Sequence, residues 1–223
     1  MFTGIVEGIG TLRARTGRPG ARAGIETALG PLVLGESISV NGACLTVSRV
    51  APSGFECDLT TETLASTTLG DVPIGTLLHL ERALQIGGRL GGHLVSGHVD
   101  TVGVVSANER RADGHYFCVR CPETLARFLA EKGSVAVDGV SLTINSVSAS
   151  NAAAVSFDVM LVPHTLATTR LGTANAGANV NIEVDLLARY VGRQLAAAGY
   201  TSLAETVGDE ARLVEKLGAA GFL

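Results

Sequence analysis

The chain has no tryptophan, 4 cysteines and 6 prolines in 223 residues, and only 17% of it is charged. Four cysteines, at 44, 57, 118 and 121, are too few for the disulfide-dense framework of a small secreted domain. Lys and Arg total 17 against 21 Asp and Glu, and the basic residues are scattered, which excludes a nucleic-acid footprint. No apolar stretch approaches the ~20 residues that span a bilayer, and MFTGIVEGIG has neither the basic region nor the apolar core of a signal peptide. The expectation is a soluble cytoplasmic protein with no nucleic-acid or membrane partner. What is abundant is glycine, 28 residues without a G-x-y period, which means many turns and not collagen.

The one close cysteine pair, Cys118 and Cys121 in HYFCVRC, lies in a stretch that reads as a strand. Residues three apart in a strand point to opposite faces, so one strand does not aim both sulfurs at a metal. His93 and His98 lack the acidic and cysteine partners of a tetrahedral set, and no metal is expected. The glycine run GGRLGG at 87–92 leads into a β-rich segment instead of the helix that a dinucleotide-binding turn requires.

Self-comparison gives the strongest signal, a copy displaced by ninety-odd residues. TGIVEGIG at 3–10 matches SGHVDTVG at 96–103, and SISVNGACLTV at 37–47 matches SVAVDGVSLTI at 134–144. ETLASTTLG at 62–70 matches HTLATTRLG at 164–172, and GTLLHLE at 75–81 matches GANVNIE at 177–183. The order is kept while the spacing drifts by a few residues, as loop insertions allow.

Each copy carries short alternating or β-branched runs. In the first these are GIGTLRAR, ESISV, CLTVSRV, FECDL and TLLHLE; in the second, TVGVVSA, YFCVRC, SVAV, SLTINSV, AVSFDVM and NVNIEV. Asn41-Gly42 and Asp138-Gly139 predict a tight hairpin at the centre of each copy, and Arg15 to Gly35 reads as a loop. About six strands in about ninety residues bury their apolar faces best by closing into a small barrel, so the fold class is all-β, two tandem six-stranded barrels. TETLAST and PHTLATT predict a short helix capping each barrel, with the domain boundary in the glycine run. After Asp185, LLARYVGRQLAAA and the stretch at 202–222 read as helical, and Leu187, Tyr190, Val191 and Leu195 share one face that suits an oligomer contact or packing on the chain's own barrel.

In CLTV, Cys44 and Thr46 share one strand face, and in SLTI, Ser141 and Thr143 do the same, so each barrel offers a polar pair after its glycine turn. By pattern alone such a pair contacts a ligand or simply faces water. The copies differ where chemistry would need them to differ: His98 replaces Ile5, Asp185 replaces Ala83, His164 replaces Glu62, and Ser141 replaces Cys44. Two similar barrels with unequal side chains suit two similar molecules with unequal roles. His98 is the candidate proton shuttle near neutral pH, with a surface or structural role as its alternative. Asp185 is either a site residue or a helix cap, and Cys44 either a nucleophile or a neutral packed thiol.

The motifs MFTGIV, NGACLTV, TTLGD, GGHLVSGHVD, DGVSLTI and NVNIEVD, in this order, closely resemble the riboflavin synthase alpha-chain family over residues 1 to 200. That resemblance implies two Greek-key barrels, 1–92 and 93–186, and a C-terminal helical segment, 187–223, through which three chains assemble. It implies binding of two molecules of 6,7-dimethyl-8-ribityllumazine and transfer of a four-carbon unit between them, giving riboflavin and 5-amino-6-(ribitylamino)uracil without metal or redox cofactor. The active site would join the N-terminal barrel of one subunit to the C-terminal barrel of another, and a lumazine synthase shell is a candidate partner. The family's functional positions fall on His98, Cys44, Ser141 and Asp185 as catalytic candidates. Substrate-binding candidates are Phe2, Gly4, Val6, Ser37, Thr46, Glu62, Thr63, Gly97, Thr143, His164 and Thr165, with Gly4 and Val6 assigned beside the first-barrel pair and His98 to the second barrel with Ser141, Thr143 and Asp185. Ala43 stands where some relatives have a second cysteine, and His164 where others have glutamate. The alternative is a non-catalytic, antenna-type lumazine- or flavin-binding protein on the same double barrel.

Overall fold

The computed structural model describes residues 1–17, 20–151 and 153–198. The first barrel is built from β1 (Gly8–Arg15), β2 (Arg22–Thr27), β3 (Ser37–Val40), β4 (Ala43–Ala51), β5 (Gly54–Asp58) and β6 (Leu77–Arg82). Its strands close in the order β1-β2-β5-β4-β3-β6, all neighbours antiparallel. The second contains β7 (Thr101–Arg111), β8 (Gly114–Pro122), β9 (Ser134–Val137), β10 (Val140–Asn151), β11 (Ala154–Leu161) and β12 (Asn179–Val184), and closes in the same order. Short helices α1 (Thr61–Ser66) and α2 (Pro163–Thr168) occupy equivalent places before the last strand of each barrel.

Strand alternation fills each barrel. In β4, Ala43, Leu45 and Val47 are buried while Cys44 and Thr46 lie on the other face, and β10 repeats this with Val140, Leu142 and Ile144 inside. Each fully buried Leu, Ile, Val or Phe contributes about 1.5–3 kcal/mol, and two separate clusters, around Leu45, Phe55 and Leu80 and around Phe117, Phe157 and Ile182, form the two cores. Closure needs extra bend, which the sequence supplies at two corresponding places in each barrel, with a further register shift at Ala149/Asn151 in the second. Register shifts occur at Leu12/Ala14 and Val47/Arg49, and at the corresponding Val105/Ala107 and Ile144/Ser146.

One strand differs from the sequence reading. β2 lies inside the stretch expected to be a loop, because the glycine- and arginine-rich composition hides the alternation of buried Ala23 and Ile25 with outward Arg22 and Gly24. A 3-10 segment, Glu123–Phe128, also follows β8 and buries Leu125, where strand patterning alone gave no signal.

The two hairpin turns meet back to back. Asn41 and Gly42 have φ of 46° and 85°, and Asp138 and Gly139 have 45° and 77°, the left-handed pair of a two-residue hairpin turn. A Cβ on Gly42 would stand 2.8 Å from the Gly139 amide nitrogen, so this approach requires glycine on both sides. Around them lies a buried polar seam with two-fold correspondence. His79 donates its amide to Asn41 Oδ1 at 2.7 Å and its ring Nδ1–H to the Asp138 carbonyl at 2.9 Å, while Nε2 accepts the Arg170 amide at 2.7 Å. Asn181 donates its amide to Asp138 Oδ1 at 2.8 Å and Nδ2–H to the Asn41 carbonyl at 2.7 Å, while Oδ1 accepts the Thr68 amide at 2.7 Å.

Residues up to Ala188 form one compact unit, and a second begins at Arg189. Helix α3 (Leu186–Ala197) exposes Leu187, Tyr190, Val191 and Leu195. The second helical stretch expected at 202–222 lies outside the described residues. No helix among the described residues is long and apolar enough to cross a membrane.

Candidate active site

The polar pairs are set by the strand register. Thr46 stands opposite Ser37 and Cys44 opposite Ser39 in β3–β4; Thr143 stands opposite Ser134 and Ser141 opposite Ala136 in β9–β10. Thr46 and Thr143 are exposed, and Cys44, Ser141 and Ser37 half-buried, so each strand presents a polar face beside the hairpin turn.

Each face is completed by a loop from the other barrel. The Cys44 amide donates to the Gly97 carbonyl at 2.8 Å, and the Ser141 amide donates to the Gly4 carbonyl at 2.8 Å. Val6 packs against the core of the second barrel and Val99 against that of the first. The sequence assignment is corrected here: Gly4 and Val6 accompany Ser141 and Thr143, while Gly97 and His98 accompany Cys44 and Thr46. Position within a repeat identifies the loop but says nothing of which barrel it crosses to.

Two residues absent from the sequence candidates hold these loops. Glu81 accepts the Thr3 amide at 2.6 Å, the Thr3 hydroxyl at 2.7 Å and the Gly4 amide at 2.9 Å. Glu183 accepts the Ser96 amide at 2.6 Å, the Ser96 hydroxyl at 2.7 Å and the Gly97 amide at 3.0 Å. Burial raises both carboxyl pKa values, opposed by the bonds from Thr3 and Gly4 or from Ser96 and Gly97. The signal was available: the matched stretches GTLLHLE and GANVNIE both place a glutamate in an otherwise apolar strand.

The remaining candidates divide by environment. Phe2 is fully buried with Val95 and Ala136, so it supports the Gly97 loop from beneath instead of lining a surface. His98 is exposed, and its amide donates to Ser96 Oγ at 3.3 Å. Asp185 accepts the Leu187 amide at 2.9 Å, the cap geometry anticipated as its alternative, while its carboxylate also acts electrostatically on His93. Glu62, Thr63, His164 and Thr165 sit on α1 and α2 and take part in bonds within those helical turns: Ser66 Oγ donates to Glu62, Thr63 donates its amide to Thr60 Oγ1, and His164 and Thr165 accept from Thr168 and Thr169. Cys57 and Cys121 are not nucleophile candidates, because burial pushes both thiols up to about 12. His93, set aside with His98 as a metal pair, is hydrogen-bonded to Ser141 instead, its Nδ1 lying 2.7 Å from Oγ.

The arrangement is therefore two pseudo-symmetric half-sites in one chain, one with a thiol and an exposed imidazole, the other with a hydroxyl, a buried imidazole and a carboxylate. Residues 3–83 and 96–185 each match the lumazine binding domain family. The chain is 45% identical over 207 residues to the riboflavin synthase of Mycobacterium tuberculosis, covering 89% of this chain and 100% of that protein. It is 43% identical over 201 residues to that of Brucella abortus, covering 86% and 97%, and 36% identical over 210 residues to that of Bacillus subtilis, covering 93% and 95%. Among solved structures, LumP complexed with riboflavin is similar with a TM-score of 0.71 and 26% identity, covering 82% of this chain and 99% of that one.

Proposed function

The chain belongs to the riboflavin synthase family, and we propose on that premise how its two half-sites divide the work. The activity is the family's dismutation: two molecules of 6,7-dimethyl-8-ribityllumazine exchange a four-carbon unit to give riboflavin and 5-amino-6-(ribitylamino)uracil. One lumazine lies on the face of Cys44, Thr46 and Ser37 under the Gly97–His98 loop. The other lies on the face of Ser141 and Thr143 beside Gly4, Val6 and Asp185. Glu62, Thr63, His164 and Thr165 on the short helices reach toward the polar tails.

The observation that supports this most is the crossed pair of bonds, Gly97 to Cys44 and Gly4 to Ser141. It gives the two half-sites the same backbone frame, while Cys44 against Ser141 and His98 against Ile5 make them chemically unequal. A hydroxyl or water near Cys44 or Ser141 adds at C7 of the donor ring, the C7 methyl of the acceptor loses a proton, and His98 shuttles protons. Two planar rings held at bonding distance supply on the order of 7–11 kcal/mol through orientation alone.

The two cooperating half-sites come from different subunits. The exposed apolar face of α3, with Leu187, Tyr190, Val191 and Leu195, is the surface through which three chains assemble. A lumazine synthase shell around that trimer is proposed from the family alone, and co-sedimentation of the two proteins tests it. Incubating the chain with the lumazine and following riboflavin absorbance and fluorescence tests the activity. Tight binding without product would favour the antenna-type reading, which needs only one good pocket, although polar residues are kept in both.

A further inference from the structure

Ser141 and its counterpart Cys44 occupy equivalent strand positions but have different neighbours. His93 Nδ1 lies 2.7 Å from Ser141 Oγ, and the His93 amide donates to the Thr3 carbonyl at 3.1 Å. The segment is wedged against the strand: a Cβ on the preceding Gly92 would stand 2.2 Å from the Thr3 carbonyl oxygen and 2.8 Å from Ser141 Oγ. Among the described residues no imidazole is hydrogen-bonded to Cys44.

His93 is 8% exposed, and its Nε2 has no hydrogen-bond partner among the described residues. A buried, unpaired polar atom is destabilising, and a phenyl or leucyl side chain would pack here without it. The fold therefore bears a penalty to keep an imidazole at this position, and among the described residues the one hydrogen bond of the ring is to Ser141. Burial lowers the His93 pKa, with the Asp185 carboxylate opposing, so the neutral ring, which has one nitrogen free to accept, is the favoured form at neutral pH.

We propose that His93 is the positioning residue of Ser141: Nδ1 accepts the seryl hydrogen, turns the free lone pairs of Oγ toward the second-barrel lumazine, and gives that half-site an oriented hydroxyl that the Cys44 half-site lacks. The proposal rests on the reading that Ser141 faces bound lumazine. It assigns the oriented oxygen to the second barrel, which distinguishes the two half-sites by chemistry and not by shape.

The test is a double-mutant cycle with full-length S141A, H93A, S141A/H93A and the conservative H93N, measuring kcat for riboflavin formation and lumazine affinity by fluorescence quenching. H93A and S141A are each expected to lower kcat on the order of tenfold to a hundredfold, the double variant no further than the worse single, and H93N to recover much of the loss, with affinity changed by less than about threefold. Losses that multiply in the double variant, or unchanged kcat in H93A, overturn the proposal. A second measurement depends neither on activity nor on the folding of H93A. In 15N-histidine-labelled parent protein at pH 7.5, His93 Nδ1 should appear as the unprotonated, hydrogen-bonded nitrogen, and S141A should remove that signature. A protonated Nδ1 overturns the proposal, whereas a parent that forms no riboflavin but shows the expected nitrogen spectrum overturns only the functional reading.

Discussion

The carbonyl of Gly97 accepts the amide of Cys44 at 2.8 Å, which fixes a loop of one barrel against the polar strand face of the other. Gly97 has φ of 82°, and a Cβ there would stand 2.5 Å from the Cys44 Cβ and 2.9 Å from its amide nitrogen. Gly97→Ala therefore meets both a left-handed backbone and a backbone clash, and is expected to destabilise the chain by more than about 1 kcal/mol. Riboflavin formation should fall more than thermal stability accounts for, because the loop that lifts also carries His98. Thermal unfolding and initial rates on the same preparation check this, and wild-type turnover would show that the contact is dispensable.

Glu183 anchors the same loop through three accepted hydrogen bonds. In Glu183→Gln one carboxylate oxygen becomes an amide nitrogen, which sets a donor against the Gly97 or Ser96 donors. The expected loss is about 1–3 kcal/mol of stability together with weakened lumazine binding at the Cys44 half-site. Glu81→Gln should do the same for the Ser141 half-site. Urea unfolding and ligand titration of both variants measure the pair, and a change under 0.5 kcal/mol, about the size of an ordinary surface substitution, would mean the loops hold themselves.

His79 and Asn181 perform the same three bonds from opposite sides of the seam, so His79→Asn should fold while His79→Ala should lose about 1–3 kcal/mol. Burial pulls the His79 pKa down to about 4 from 6.5, with the bond to the Asp138 carbonyl opposing. Between those values the unfolded chain binds a proton that the folded chain refuses, so this contribution to stability is lost as pH falls from about 6.5 toward 4, by up to about 3 kcal/mol. Asp138 works in the other direction: burial pushes it up to about 7, so the folded state retains a proton and gains stability as pH falls. The parent curve mixes the two. The difference between parent and His79→Asn isolates the histidine, and the variant should become relatively more stable on acidification. A pH-independent difference would rule out the buried neutral ring.

Much of this was legible in the chain. The matched stretches and the two glycine turns gave both barrels, because a hairpin with φ above zero at two successive positions tolerates few residues, and Asn41-Gly42 and Asp138-Gly139 are among them. Cys44, Thr46, Ser141 and Thr143 were found because strand parity is local. The crossing of the Gly4 and Gly97 loops was not found, since it is a relation between barrels with no local sequence pattern. β2 was lost to composition, and His79, Glu81 and Glu183 were passed over as ordinary strand residues. A buried polar side chain announces itself only through the partners that the fold brings to it.

His98 is exposed and follows Gly97, whose carbonyl accepts the Cys44 amide. The proposed proton-shuttle role acts on the chemical step, so on that proposal His98→Ala should lower kcat on the order of a hundredfold while leaving lumazine affinity nearly unchanged. Stopped-flow turnover at saturating substrate, paired with equilibrium titration, separates the two. Weaker binding with normal turnover would reduce the residue to a ligand contact.

Removing residues 187–223 tests whether the cooperating half-sites come from different chains. Both barrels lie before that point, so the truncated chain should still bind lumazine at each polar face. Without the apolar face of Leu187, Tyr190, Val191 and Leu195 it should sediment as a monomer, and turnover should fall by orders of magnitude, because the second ring must then arrive by diffusion instead of being held in place. Adding α3-containing S141A chains should raise turnover no further than those chains show alone, since assembly requires the helix on every partner. Full activity in a chain shown by sedimentation to be monomeric would place both rings within one subunit.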